Sequence, residues 1–455
     1  MKMIRNPRSG QIMVLLSIAS VLLLLLGAAM VDWIYIFTVR ARLVTAVDAS
    51  AMAATRELVS GATLAAQQAT VDRVVDRIFH ANFPDNFLMA ISSGFDPPTI
   101  DQPSPGRTRV QVSGHAVMPT FFLRIVGKTD FPISVSATAV RQDSNVMLVL
   151  DRSGSMGDFG GAPWDALQSA VPLFVNEFSE QNDRFGTVFY STNPFLDYTI
   201  QYPKGTKPFK SEIQTIVEGH SPGGWTNIAA ALYQGYDDVR DLADADSLNV
   251  LVLFSDGILT ALTNQFPVRS APGAGPWCVA NGAEPATPRW GTLTGNGPEG
   301  PFKINQDGQV AIDDCFQAGG AAYTGEDPQA ENLILNVPVS WTPLGETDVF
   351  SIYHSFNAAL PSPPIPASSN DTVTMVGENL ALNIANQARN EGFLIYTIGL
   401  GPGVDGPFME AIANDPDSAY YDSTQPSGEY IFADDSDALI EAFLRVASAV
   451  VHITQ

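Results

Sequence analysis

The chain has 455 residues, which is too long for one ordinary domain and predicts two or three folded units. Hydrophobic residues make up 45% and charged residues only 16%, a composition that excludes a wholly disordered protein. The formal net charge of −24 argues against nucleic acid as a partner, because phosphate binding depends on clustered Lys and Arg. Such acidity suits divalent cations or basic partners, or it serves only to keep the protein soluble.

An almost wholly apolar segment covers residues 12–36 and is interrupted only by Asp32 near its end. A helix of about 20 residues crosses the hydrocarbon layer of a bilayer, so this segment predicts a single transmembrane helix. Lys2, Arg5 and Arg8 precede it. Positive charge on the short leading side predicts a cytoplasmic N-terminus, with the rest of the chain outside.

A cleaved signal peptide is the alternative interpretation of this segment. Signal peptides have a shorter apolar core followed by small residues, and Gly27-Ala28-Ala29 imitates such a cleavage site. Apolar sequence continues beyond these residues, which favours a permanent anchor. No cysteine lies near the segment, so a lipoprotein is excluded.

Several short motifs stand in order around this helix: Gly10-Gln11, Val31-Asp32, Tyr35, Arg42-Leu43 and Ala46-Val47-Asp48-Ala49-Ser50-Ala51. Together they resemble the N-terminal module of TadG-like proteins, which belong to the Tad (Flp) pilus assembly systems of bacteria. The resemblance implies the bacterial inner (cytoplasmic) membrane, a periplasmic or extracellular C-terminal domain, and other Tad pilus components as partners. Pilins of these systems carry Glu five residues after the processing glycine. Here that residue is Leu15, which argues against prepilin-type cleavage.

Residues 61–143 are predicted to form a small extracytoplasmic α+β stalk, following the anchor module of residues 1–60. Residues 62–80 have a helical pattern, and alternating apolar residues between Arg109 and Val140 indicate half-buried strands. The run Val117-Met118-Pro119-Thr120-Phe121-Phe122, followed by Gly127, resembles the short β module of TadG-like proteins.

From residue 144 to residue 455, apolar strands alternate with amphipathic helices. Residues 146–150, 250–254 and 393–398 are continuous apolar runs, as expected for parallel strands covered on both faces. The alternation predicts a doubly wound, mostly parallel α/β sheet. Such a sheet binds ligands at the carboxyl ends of its strands.

A region rich in Gly and Pro, from about residue 258 to residue 372, interrupts this rhythm. We expect a long insertion on the rim of the α/β domain, acting either as a lid over the binding face or as a loop without a role. It contains Cys278 and Cys315, the only cysteines. An even pair in an exported chain predicts a disulfide, and two free thiols are the alternative.

Oxygen-bearing residues follow three of the predicted strands and loops. Asp151-Arg152-Ser153-Gly154-Ser155 ends the first buried strand, Thr226 precedes a helix, and Asp256 ends a later strand. The order Asp-x-Ser-x-Ser, then Thr, then Asp resembles the metal-ion-dependent adhesion site of von Willebrand factor A-type domains. This second resemblance covers about residues 145–257 and 373–452.

The resemblance implies Mg²⁺, or alternatively Mn²⁺ or Ca²⁺, with Ser153, Ser155 and Thr226 as direct ligands. Asp151 and Asp256 would act mainly through bound waters. Mg²⁺ takes about six oxygen ligands, and neutral hydroxyls leave it short of negative charge. A Glu or Asp carboxylate of a protein partner would then complete the site. The alternative is that these residues only cap helices and satisfy loop amides.

No catalytic residue and no organic cofactor site is predicted. The five histidines are scattered, and neither a phosphate-binding Gly-rich loop nor a Gly-x-Ser-x-Gly nucleophile motif occurs. Together with the two resemblances, this favours a non-enzymatic, membrane-anchored, metal-dependent protein-binding subunit in the assembly or anchoring of a Tad (Flp) type pilus. A surface adhesin using the same metal site is the alternative. An accessory domain of a metal-inserting ATPase is disfavoured by the anchor.

Overall fold

The computed structural model describes residues 8–59, 64–104, 106–242, 244, 246–266, 289–294, 336–343, 346–360, 362–363, 365–366 and 370–453. The chain divides into two compact units, Met1–Gln142 and Asp143–Thr454. Cys278 and Cys315 lie outside the described residues, as does much of the 258–372 region. The disulfide and the lid therefore stay predictions. The domain boundaries inferred from the sequence stay predictions as well.

The first unit joins two helices to a four-stranded antiparallel sheet. Strand β3 is central, with β4 along one edge and with β1 and β2 sharing the other. The elements are α1 (Arg8–Arg56), α2 (Leu64–Asn82), β1 (Ile91–Phe95), β2 (Thr99–Ser104), β3 (Arg107–Pro119) and β4 (Asp130–Gln142).

The core of this unit lies where the later part of α1 crosses β3. Val110 and Val112 of β3 are buried, as the alternation in the sequence predicts, and they join Leu43 and Val47 of α1 in one apolar cluster. At Gly114 the helix comes so close that an added Cβ would lie 2.6 Å from Val47 Cγ2. A side chain at this position would push the helix off the sheet.

Helix α1 is the one helix of the described residues that is long and apolar enough to cross a membrane. Its most apolar stretch has a mean hydropathy of 2.7, and none of that stretch is buried. This helix is compatible with a single-pass membrane anchor.

The second unit is built on a six-stranded sheet with the order β16-β15-β8-β5-β6-β7. Neighbouring strands are parallel except β6 and β7 at one edge. The sheet strands are β5 (Ser144–Asp151), β6 (Arg184–Tyr190), β7 (Pro194–Tyr198), β8 (Leu248–Ser255), β15 (Leu394–Leu400) and β16 (Tyr430–Ala433).

Helices cover both faces of this sheet. The helices are α3 (Ala162–Asn176), α4 (Phe209–Gly219), α5 (Ile228–Arg240), α6 (Asn370–Asn390), α7 (Gly406–Ala413) and α8 (Ser436–Ile453). Met147 and Val149 of β5 face the cluster formed with α5, α6 and α7, whereas Val146 and Leu148 face the cluster formed with α3, α4 and α8. The doubly wound, mostly parallel sheet predicted from the sequence is confirmed.

The described parts of the 258–372 region contain short antiparallel pairs. β9 pairs with β10, β11 with β14, and β12 with β13. These strands are β9 (Ala261–Phe266), β10 (Arg289–Thr294), β11 (Asn336–Val337), β12 (Ser340–Trp341), β13 (Phe350–Ser351) and β14 (Ile365–Pro366). Trp341 and Phe350 are buried with Tyr233 of α5, so part of this region belongs to the core of the domain.

Candidate metal centre

The predicted site residues lie at the carboxyl ends of two adjacent parallel strands. Asp151 is the last residue of β5, and Asp256 follows the last residue of β8. The chain passes from β5 to β6 on one side and later returns to β8 on the other, so the strand order reverses here. In open α/β sheets such a reversal leaves a crevice at the strand ends, where ligands bind.

Four of the five predicted residues are connected by short hydrogen bonds. Asp151 Oδ1 accepts from the backbone N–H of Ser153 at 2.7 Å, and the Oγ atoms of Ser153 and Ser155 are 3.0 Å apart. Ser155 Oγ then donates to Asp256 Oδ1 at 2.7 Å. Two carboxylates and two hydroxyls therefore converge on one pocket.

The fifth residue, Thr226, is brought to the same rim by backbone contacts. The N–H of Gly154 donates to the carbonyl of Gly224 at 2.9 Å, which joins the two loops. The N–H of Thr226 donates to Thr260 Oγ1, and its carbonyl accepts from the N–H of Thr260, both at 2.9 Å. Its side-chain hydroxyl makes no hydrogen bond to any described residue.

Two residues that the sequence did not single out hold Asp151 in place. Ser255 Oγ donates to Asp151 Oδ2 at 2.7 Å. The hydroxyl of Tyr190, on β6, lies 3.4 Å from the same oxygen and donates to the carbonyl of Phe254 at 3.0 Å. Asp151 is fully buried, so these donors replace the water that it loses.

The pocket concentrates negative charge. Burial raises the pKa of Asp151 to about 7, and the nearby charge of Asp256 adds to the effect. Burial also raises the pKa of Asp256. Neither carboxylate makes an ion pair with Lys, Arg or His within the described part of the chain. A bound cation would relieve this repulsion.

The donor set fits a hard divalent cation. All five side chains offer oxygen, the ligand that Mg²⁺, Mn²⁺ and Ca²⁺ prefer, and none offers sulfur or imidazole. The described residues contain no group of three or more His, Cys, Asp or Glu that could hold a metal. A cation at these strand ends would therefore depend on the Ser and Thr hydroxyls.

Comparison with protein families gives an independent view of the same region. A family model described as "von Willebrand factor type A domain" matches residues 145–276. This span contains β8, all of β5 except its first residue, and all five of the predicted site residues. Residues 145–276 match a von Willebrand factor type A domain, and the unit that contains them has the α/β fold of that domain. No curated protein matches the chain in sequence.

Several solved structures resemble the chain, all at low identity. The vWF domain of the type V pili tip protein Mfa5 from Porphyromonas gingivalis has 17% identity and a TM-score of 0.40, over 70% of this chain and 98% of that one. The PilB minor pilin from Streptococcus sanguinis has 12% identity and a TM-score of 0.39, over 80% and 79%.

A mussel protein of known structure also resembles the chain. Proximal thread matrix protein 1 from the mussel byssus, with a zinc-occupied MIDAS motif, has 14% identity and a TM-score of 0.34. The comparison covers 68% of this chain and 47% of that one, so the chain spans just under half of its length.

In the A-type domain, Gly224 occupies a position that only glycine fills easily. Its φ is +92°, and an added Cβ would lie 2.8 Å from Thr192 Oγ1. We expect Gly224→Ala to lower the free energy of unfolding by about 1–3 kcal/mol, because it combines left-handed strain with a steric clash. Urea unfolding measures the change.

Gly219 provides the matched control for this substitution. An added Cβ there meets nothing within 4 Å, and the residue ends α4. Gly219→Ala should change stability by less than about 0.5 kcal/mol. Equal stability of the two variants would show that the Thr226 loop is not held in the strained form.

Proposed function

We propose that this chain is a non-enzymatic, membrane-anchored subunit that binds a protein partner through a divalent cation, in the assembly or anchoring of a Tad (Flp) type pilus. The observation that carries the proposal is the convergence of Asp151, Ser153, Ser155 and Asp256 at the strand ends of an A-type domain. The Tad context is supported by the order of motifs around α1, and the anchor by its exposed apolar stretch.

In this proposal each residue of the centre has a separate role. Ser153, Ser155 and Thr226 hold Mg²⁺, or alternatively Mn²⁺ or Ca²⁺, directly, and Asp151 and Asp256 act through bound water. The ion supplies a position that attracts a Glu or Asp carboxylate of the partner. Ser255 and Tyr190 keep the carboxylate of Asp151 oriented toward the pocket.

Burial indicates the side from which a partner approaches. Asp151 and Ser153 are buried, whereas Ser155 and Asp256 are half-buried. A partner carboxylate would therefore enter over the outer side of the pocket, near Ser155 and Gly257. A side chain at Gly257 would stand 3.7 Å from Ser155 Oγ, so glycine at this position keeps the approach open.

The test is capture of partners by the full-length protein, solubilised from membranes, in Mg²⁺ and in chelator. We expect the wild type to retain Tad pilus components only in Mg²⁺, and Ser155→Ala to lose them. Ser169→Ala is the control, because Ser169 lies exposed on α3 and bonds only the carbonyl of Asp165. If the wild type captures its partners equally well in Mg²⁺ and in chelator, the metal-dependent mechanism is wrong. If the protein instead captures an external protein that does not belong to the Tad system, a surface adhesin is favoured.

The raised pKa of Asp151 predicts how the metal-free protein responds to pH. Its folded-state pKa of about 7 lies above the ordinary 3.8, so the folded chain binds the proton more tightly than the unfolded chain. Stability therefore falls as the pH rises between these values. In chelator we expect a higher Tm at about pH 5.5 than at about pH 7.5, and a larger Tm increase on adding Mg²⁺ at the higher pH.

Asp151→Asn isolates this contribution from the others. The variant should show a weaker pH dependence in chelator, leaving the contributions of the other carboxyl groups whose pKa burial raises, Asp256 and Glu378 among them. Scanning fluorimetry of the full chain at both pH values measures the difference. Identical pH profiles for the wild type and Asp151→Asn would show that Asp151 titrates normally.

A further inference from the structure

Helix α1 changes character at Asp32. From residue 13 to residue 31 none of its side chains is buried, and Asp32, which is only 2% exposed, is the first that is. These 19 residues span about 28 Å at 1.5 Å per residue, close to the thickness of the hydrocarbon layer. A bilayer around residues 13–31 therefore has its outer interface at the level of Asp32.

Asp32 is tied to the loop that connects β3 with β4, residues 120–129, which we name the interface loop. The carboxylate accepts three backbone N–H groups, from Phe121 at 2.8 Å, Phe122 at 2.9 Å and Leu123 at 2.7 Å. These bonds fix the beginning of the interface loop beside Asp32, at the same level along the helix. The loop is thus placed at the surface of any bilayer that α1 crosses.

The interface loop exposes apolar side chains to its surroundings. Ile125 is 70% exposed and Phe122 is 42% exposed, and Phe121 is exposed as well. Exposed Trp33 of α1 lies beside exposed Phe131, with ring centroids 6.5 Å apart. These residues continue the apolar surface of α1 outward from the helix. Trp is enriched at the membrane–water interface, and Phe is typical of the apolar face of segments that lie in it.

The same loop carries positive charge in a strongly acidic protein. Arg124 and Lys128 are both exposed, although the whole chain has a net charge of −24. Exposed Arg40, about two helical turns beyond Asp32, borders a groove of about 230 Å³ whose other walls include Trp33, Phe37 and Phe131. In a lipid leaflet the acyl chains lie next to the charged phosphates. The apolar side chains of this region therefore match the acyl chains, and the basic side chains beside them match the phosphates.

We propose that the interface loop inserts into the outer leaflet of the bilayer that α1 crosses. Phe121, Phe122 and Ile125 enter the boundary of the acyl chains, and Arg124 and Lys128 bind lipid phosphates. The inference rests on the proposed membrane anchor. It places the first unit directly on the lipid surface through two attachments, the helix and the loop, in place of a stalk that holds it away from the membrane.

The experiment uses the purified full chain in nanodiscs of phosphatidylcholine and phosphatidylglycerol, with nitroxide-labelled acyl chains as quenchers. In a Cys278→Ser/Cys315→Ser background, a fluorophore is attached through Ile125→Cys. Gln102→Cys is the control, because Gln102 is exposed on β2, which pairs with the end of β3 remote from the interface loop. Leu22→Cys, within the apolar stretch of α1, reports on the anchor itself.

We expect at least about two-fold quenching at residues 22 and 125 and almost none at residue 102, since interfacial groups insert about 5–10 Å. Quenching at residue 22 alone would overturn the loop insertion and leave the anchor intact. Quenching at residues 102 and 125 alike would also overturn it, because the unit would then lie on its side. No quenching at residue 22 would refute the anchor, and the loop proposal with it.

Discussion

Thr226→Ala should weaken Mg²⁺ binding by about 100-fold while leaving the metal-free domain as stable as the wild type. Thr226 is buried, and its hydroxyl bonds no described residue, so its removal breaks no hydrogen bond of the fold. The contacts that position the loop come from its backbone, through Thr260 and Ala261, and they survive the substitution. In this variant the metal affinity should therefore fall while the stability of the metal-free domain stays the same.

Thr187→Ala is the matched control for Thr226→Ala. Thr187 is another buried threonine of the same unit, in the middle of β6, and its hydroxyl has no hydrogen-bond partner among the described residues. Titration calorimetry of both variants with Mg²⁺ should show loss of affinity only for Thr226→Ala. If Thr226→Ala binds Mg²⁺ like the wild type, the hydroxyl is not a ligand and the centre needs another donor.

The elements that positioned this centre were predictable because their signals are local. β5, β8 and β15 are largely buried on both faces, and the sequence of each contains a mostly apolar run. α4, α7 and both edge strands of the sheet, β7 and β16, were missed. α7 has only eight residues and begins with Gly-Pro, a pair that is typical of loops. Asp405, whose side chain caps α7 by accepting from the N–H of Phe408, was the available signal.

The site was predictable to the extent that its residues form a motif. Ser255 stands next to Asp256, but its bond to Asp151 depends on the pairing of β5 with β8. Tyr190 comes beside Asp151 only through the register of β5 with β6. Sequence spacing does not reveal such contacts. Asp32 is the clearest case, since its three donors lie 89 to 91 residues further along the chain.

Asp32→Ala should release the interface loop from α1. Each of the three N–H groups would lose its acceptor in a partly buried place, at a cost of about 1–3 kcal/mol per group. We expect amide hydrogen exchange at Phe121, Phe122 and Leu123 to accelerate by about 100-fold or more in nanodiscs. Exchange in the middle of β3 should change much less.

Asp48→Ala is the control for this variant, because Asp48 lies on the same helix, carries the same charge and is exposed. The exchange rates in Asp32→Asn should lie between those of Asp32→Ala and Asp48→Ala. An amide keeps one acceptor oxygen but turns an NH₂ group toward the remaining N–H donors. Unchanged exchange in Asp32→Ala would mean that water or lipid replaces the carboxylate without loss. Because the loop bonds Asp32 through its backbone alone, substitutions at Phe122 or Ile125 should reduce membrane contact without reproducing the exchange seen in Asp32→Ala.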